Sequence, residues 1–319
     1  MNKIVKYLLT VVLAGSVVCS SNAVLYATEV NEITNDVVVD GVEEAGDDVV
    51  ITSEDKPYLA LGADLSADQQ HTVLSLMGID AKDLGNYDVV YVNNKEEHQY
   101  LDSYIASSAI GTRSLSSVVI TQTKKGDGLR ISTYNINYCT VGMYKNALAT
   151  AGISDANIIV AGPFELSGTC ALVGILKAYE EMTGEALNEE VVDAAMDELV
   201  TTGLLNESID ADPEVVEALI ADLKEQIAKG ALKSEESMRS AIDETAKKYG
   251  VSLSGEEKEK LLRLLEKLKG LDLDWESIAN QAANWADRIG TQAIESGFLE
   301  KFMEWIRSII EAIKSFFGW

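Results

Sequence analysis

Between residues 57 and 184 the spacing of apolar positions switches repeatedly between the helical and the extended period, and each switch marks an element. From Ser66 to Met77 a helix is expected, with Ser66 placed to cap it, Val73, Leu74 and Met77 on one face, and Gly78 to stop it. Asp88-Val89-Val90-Tyr91-Val92-Asn93 is a short β-rich run. Asn94 is then expected to cap a helix, with Glu97 closing a capping box and Tyr100, Leu101, Tyr104 and Ile105 as the apolar stripe. Two β-rich runs follow, Ser114 to Thr123 and Gly128 to Tyr138, and Lys124-Lys125-Gly126-Asp127-Gly128 between them reads as a hairpin turn. Thr140 caps the next helix, which carries Met143, Tyr144, Ala147, Leu148 and Ala151, and Ala156 to Gly162 is an apolar strand. The order β-α-β-β-α-β predicts an α+β domain over 57–184, a ferredoxin-like split sandwich of four antiparallel strands with helices on one face. In that topology the third and fourth strands run parallel with one strand between them, so the helices after them start at the same sheet edge.

From Asn188 onward the period is helical throughout. Asn188, Asp212 with Pro213, Ser234, and Ser254 with Glu257 each open an amphipathic segment, giving an all-α region over 185–273. Its acidic faces are expected to be solvated. Asp210-Ala211-Asp212-Pro213-Glu214 lacks the glycine of a calcium loop and fits a helix start better. In the last segment, 274–319, Phe302, Ile306, Ile309, Ile313 and Phe316 form a stripe whose polar face mixes Glu300, Glu304 and Glu311 with Lys301, Arg307 and Lys314. Such a helix packs in its own bundle, or offers a face to an envelope protein, a wall component or, peripherally, a membrane.

The chain's start differs from all of this. Lys3 and Lys6 precede an apolar run from Tyr7 to Val18 that ends in small and polar residues, the pattern of a secretory signal peptide over 1–27. The acids between Glu29 and Asp55 follow no period, so 28–56 reads as a disordered spacer. The formal charge of −26 argues against nucleic acid, whose phosphates need a basic surface. Together these features place the chain outside the cytoplasm, associated with the envelope.

Removal of the leader takes Cys19 with it and leaves Cys139 and Cys170. An even pair in an oxidising compartment suggests a disulfide; the other reading is two buried thiols. The stretch Gly162 to Glu181 is the chain's most suggestive turn, yet it lacks the lysine of a phosphate loop and the G-x-S-x-G of a nucleophile elbow. Ser167 is simplest as a helix cap. With two helices starting at one edge, Thr140, Ser167, Gly168 and Thr169 could nevertheless present hydroxyls and backbone donors to a carboxylate or a single phosphate. His71 and His98 are the only histidines, no metal-binding spacing or cofactor motif accompanies them, and no catalytic residue can be singled out.

The blocks "LGADLS", "YVNNKEEHQYL", "IGTRSLSSV", "NINYCTVGMYKNALATAGI" and "AGPFELSGTCALVGILKAYE" resemble the YpuA-like secreted proteins of Gram-positive bacteria over about Leu59 to Gly184. The resemblance implies an extracytoplasmic setting. It brings no activity and no catalytic residues, and it implies that a Cys139–Cys170 bridge would be particular to this chain. Two functions are compatible with the sequence: a secreted, non-enzymatic envelope protein that binds or scaffolds, and a hydrolase of wall or peptide material with Ser167 or Thr169 as nucleophile.

Overall fold

The structure is a computed structural model that describes residues 44–283. The chain divides into two compact units, Met1–Asp40 and Gly41–Trp319, and every described residue belongs to the second. The expected leader, the spacer up to residue 43 and the C-terminal stripe from Leu299 lie outside the described residues.

A mixed sheet organises the first half. Its strands are β1 (Glu44–Gly46), β2 (Tyr58–Gly62), β3 (Asp88–Val92), β4 (Ser117–Gln122), β5 (Leu129–Ile136) and β6 (Ala156–Leu166). Their spatial order is β1-β5-β6-β4-β2-β3. β2 and β3 are parallel, as are β5 and β6, while β4 runs antiparallel to both β2 and β6. Four strands therefore point the same way, and only β4 and the short β1 are reversed. The helices of this half are α1 (Ala67–Leu76), α2 (Asn94–Leu101), α3 (Ser107–Ile110), α4 (Val141–Thr150) and α5 (Thr169–Thr183).

This order differs from the ferredoxin-like expectation in three respects. First, β4 and β5 form no hairpin, because β6 lies between them. The connecting turn closes on itself, with Asp127 N donating to Lys124 O at 3.0 Å, and also holds the start of β6, since Gly126 and Gly128 donate to Asp155 Oδ1 at 2.8 and 2.9 Å. Second, β2 is an additional strand inside the sheet. Its run Leu59-Ala60-Leu61 is buried on both faces and so shows neither alternation nor helical spacing. Third, helices cover both faces. Leu59, Leu61, Val119 and Ile159 pack with Val73 and Leu74 of α1 and with Met77 just after it on one side. Ala60, Val118, Ile120, Ile158 and Val160 pack with α4 and α5 on the other. Each fully buried leucine here stabilises the fold by roughly 1.5–3 kcal/mol. α5 lies close on the sheet at Gly174, where a Cβ would stand 3.0 Å from Ala60 Cβ and 3.1 Å from Val118 Cγ1.

Part of the acidic stretch is ordered as well. Val49 and Ile51 are buried, and Asp47 accepts from Ile131 N at 2.9 Å and pairs with Lys145 at 2.7 Å. These contacts satisfy the open edge of β5, which explains why 44–51 belongs to the fold.

Among the described residues the helical half contains α6 (Glu189–Ser208), α7 (Pro213–Ala228), α8 (Glu235–Lys248) and α9 (Gly255–Lys269). Asn188, Ser234 and Ser254 accept from backbone amides as caps, and Pro213 stands at the first position of α7. α6 joins both halves: Val192, Ala195, Met196 and Leu199 enter the core against the sheet, whereas Ala194, Leu205 and Ile209 enter the helical core. Not every acid on these helices is solvated. Glu198, Glu217 and Lys224 are buried at the seam with α4. Among the described residues no helix is long and apolar enough to cross a membrane.

Candidate functional site

Because β2, β3, β5 and β6 run the same way, the helices that follow them, α1, α2, α4 and α5, all begin at one edge of the sheet. The reversed β4 brings its own start, Ser114 to Ser117, to that edge. α1 leaves toward one face and α5 toward the other, so this edge holds the switch point at which open α/β sheets bind ligands. The convergence expected for two helix starts thus extends to four. It is close: Cys139 N, just before α4, donates to Ser167 O, just before α5, at 2.9 Å.

Local sequence explains the placement. Thr140 is the N-cap of α4 and accepts from Met143 N at 3.1 Å. At α5 the cap is Gly168 in place of Ser167, with φ +86, and any Cβ there would lie 2.5 Å from the Tyr144 hydroxyl. Tyr144 is fully buried and donates to Gly168 O at 2.7 Å. The first turn of α5 takes its side-chain cap from another strand, since Ala171 N donates to Ser116 Oγ at 2.9 Å. On α2 the capping box is Asn93 with Glu96, one residue before the pair expected from the sequence. That shift turns Glu97 inward.

Glu97 is the residue that sequence reasoning missed. It is 2% exposed and lies beneath the start of α5. Thr169 Oγ1 donates to its Oε1 at 2.5 Å and Ser114 Oγ to its Oε2 at 3.1 Å. Burial pushes the carboxyl above its ordinary value, with the two hydroxyl bonds acting in the opposite direction. Ser167 Oγ is 3.1 Å from Thr169 Oγ1, so hydroxyls run from the half-buried Ser167 through Thr169 to a buried carboxyl. The signal was present: Glu97 and Leu101 are four residues apart on one helix face, and Leu101 is buried.

The four residues expected to greet an anion are therefore together but largely committed. Gly168 and Thr169 are buried, and the Thr140 hydroxyl donates to Glu217 of α7. Carboxyl groups of the chain itself, Glu97 and Glu217, already occupy both helix starts. Ser167 presents the one half-buried hydroxyl of the four that faces no carboxylate directly.

The expected bridge between Cys139 and Cys170 is corrected, since both are free, buried thiols. Each sulfur engages a different hydroxyl partner: Cys139 meets Tyr144, and Cys170 meets Ser114 and Ser116. Burial raises both thiols to about 12, which leaves no thiolate to act as nucleophile near neutral pH. His71 is exposed. His98 lies between two acceptors, Asp102 Oδ1 at 2.8 Å and Gly111 O at 3.1 Å, an arrangement that favours the protonated ring. The Asp102 bond raises its pKa accordingly. Among the described residues no group of three or more His, Cys, Asp or Glu side chains is placed to hold a metal ion.

Residues 61–285 match the family described as "Protein of unknown function (DUF1002)". The chain is 41% identical over 275 residues to the "Uncharacterized protein YpuA" of Bacillus subtilis (strain 168), an alignment that covers 85% of this chain and 90% of the relative. No solved structure matches. The family match continues through α6, α7, α8 and α9, beyond the Leu59–Gly184 stretch that carries the resemblance in sequence. The chain therefore belongs to this family of unknown function, and over most of its length it is YpuA-like.

Proposed function

We propose that the chain is an exported, non-enzymatic protein of the cell envelope that binds or scaffolds, with ligand contact at the edge where the four parallel strands end. The observation that carries this reading is the commitment of Glu97: its oxygens accept from Thr169 and Ser114, so the buried carboxyl at the site is bound up in holding the loops together. The other groups that could move a proton are similarly engaged. Both thiols are buried and His98 is fixed between Asp102 and Gly111. The leader pattern of residues 1–27 and the acidic stretch after it support export, and the apolar stripe of Phe302, Ile306, Ile309, Ile313 and Phe316 supports attachment to an envelope protein, a wall component or a membrane surface.

The test is fractionation of cells producing the full chain beside a version ending at Gly297, with the N-terminus of each recovered protein sequenced. A processed N-terminus near residue 27 and release into the medium only on truncation are the expected results. Cytoplasmic recovery with Met1 and the leader intact would overturn the reading.

One observation favours a hydrolase instead, namely the path from Ser167 Oγ through Thr169 Oγ1 to Glu97. Labelling by a serine-directed phosphonate that disappears in Ser167→Ala would establish that alternative.

A further inference from the structure

The seam between α4 and the helical half buries a carboxyl that the strand-end site does not use. Glu217 of α7 is 1% exposed and lies against the first turn of α4, where the Thr140 hydroxyl donates to it. Asn146 of α4 adds a bond to the Glu217 backbone carbonyl at 3.1 Å. The same seam buries Glu198 and Lys224, so it holds two carboxyls and one ammonium. Lys224 Nζ is fully used: Glu198 Oε1 at 2.7 Å, Asn146 O at 2.9 Å and Thr150 Oγ1 at 2.8 Å take its three donors.

No cation is left for Glu217. Among the described residues none lies within ion-pair distance of it, and four cations on the packed helices have other partners. Lys145 of α4 pairs with Asp47, Lys248 of α8 with Asp222, Lys260 of α9 with Glu256, and Lys267 of α9 with Asp193 and Asp197. The charge that acts on Glu217 is Glu214, one turn earlier on α7, and it disfavours a second negative charge. A buried carboxyl so placed is most readily accommodated by keeping its proton.

A protonated carboxyl has an O–H that needs an acceptor, and Asn206 of α6 supplies one. Its side chain hydrogen-bonds Glu217 in the sense that favours the charged carboxyl, Nδ2 also lies 3.7 Å from Met143 Sδ, and Oδ1 is buried with no hydrogen-bond partner. The two ends of an amide exchange by a half turn, so the unpaired oxygen can face the carboxyl.

We propose that Glu217 is a proton-operated latch: protonated, it accepts from Thr140 and donates to Asn206, fastening α6 and α7 to the start of α4; deprotonated, it loses that donor and loosens the seam. The step is an ionisation, in which the Glu217 O–H bond breaks, the electron pair stays on the carboxylate and the proton leaves to water. Burial raises Glu217 to about 7 from 4.5. A carboxyl raised in the fold contributes stability that is complete below its unfolded value and is lost as pH rises through the folded one. The seam is therefore firm in mildly acidic surroundings and weakest from about 7 upward.

The test is hydrogen exchange of α4 and α7 amides in the full chain between about pH 5 and 8, corrected for the intrinsic rate. The open population should rise by up to about tenfold per pH unit and level off near the top of the range. In Glu217→Gln, whose amide can both accept from Thr140 and donate to Asn206, that rise should vanish; an unchanged rise overturns the proposal. Should the variant fail to fold, the wild-type Glu217 carboxyl can be titrated by carbon NMR. A midpoint near 7 supports the latch, and one in the ordinary carboxylate range overturns it.

Discussion

Glu198 and Glu97 are both buried, yet the two regions that hold them accommodate a carboxyl in opposite ways. At the α4–α6–α7 seam, Glu198 meets the Lys224 ammonium, and Thr150 donates to its second oxygen at 2.5 Å. Burial raises the Glu198 carboxyl and lowers the Lys224 ammonium from their ordinary values, with their attraction opposing both shifts. At the strand ends, Glu97 is held by the hydroxyls of Thr169 and Ser114 and the Asn94 side chain, with His98 the cation acting on it. A buried ion pair with every donor used is a fixed joint, because disturbing either partner strands a charge. A carboxyl held by hydroxyls leaves its protonation state adjustable and, through Ser167, within reach of the surface. One region fastens the two halves together; the other fastens loops at the strand ends while leaving Ser167 half-exposed at the surface.

The largest effect is expected where that joint is broken. Lys224→Met leaves Glu198 uncompensated and should lower unfolding stability by about 3–5 kcal/mol, while adding Glu198→Leu should restore most of the loss. Denaturant midpoints of the single and double variants measure this, and an equal loss in both would show that shape matters there more than charge. At the strand ends, Gly168→Ala meets both a left-handed φ of +86 and the Tyr144 hydroxyl. It should cost about 1–3 kcal/mol, read from the same midpoints.

Glu97→Gln is gentler, since its amide oxygen can still accept from one hydroxyl; about 1 kcal/mol is expected. It should also change the pH profile. The Glu97 carboxyl is raised in the fold, so its contribution is present below the ordinary value and declines as pH rises through the folded one. The glutamine variant should remove that decline, and thermal melts across the acid range would reveal it. Ser167→Ala should change stability least, within about 0.5 kcal/mol, while abolishing whatever binding the strand ends perform. Titration of wild type and variant with acetate and inorganic phosphate compares the two, and equal responses would remove Ser167 from the site.

Much of the helical architecture was legible because caps are local. Ser66, Thr140, Asn188, Ser234 and Ser254 each accept from amides within their own first turn. The sheet was less legible because its order is set by distant contacts. β2 shows no alternation when both its faces are covered, and the glycine turn after β4 looks like a hairpin until Asp155 is seen to take its amides. The site was half legible. Thr140 and Ser167 come together as topology suggested, but a one-residue error in the α2 cap concealed Glu97. The buried seam charges were concealed by the habit of assigning acids to water. Their spacing carried the signal, for Glu198 lies four residues after Ala194 and seven before Leu205, both buried, and Glu217 and Lys224 are seven apart on α7.

The position of β6 between β4 and β5 also constrains how the chain assembles. The connection 123–128 lets β4 and β5 meet as soon as both exist, at little loop-closure entropy, whereas the native ladders await a strand that emerges only after α4. Loop-closure entropy alone therefore favours a β4–β5 pairing that the finished sheet does not contain. In the finished sheet Asp155, just before β6, ties that connection to the incoming strand through the amides of Gly126 and Gly128.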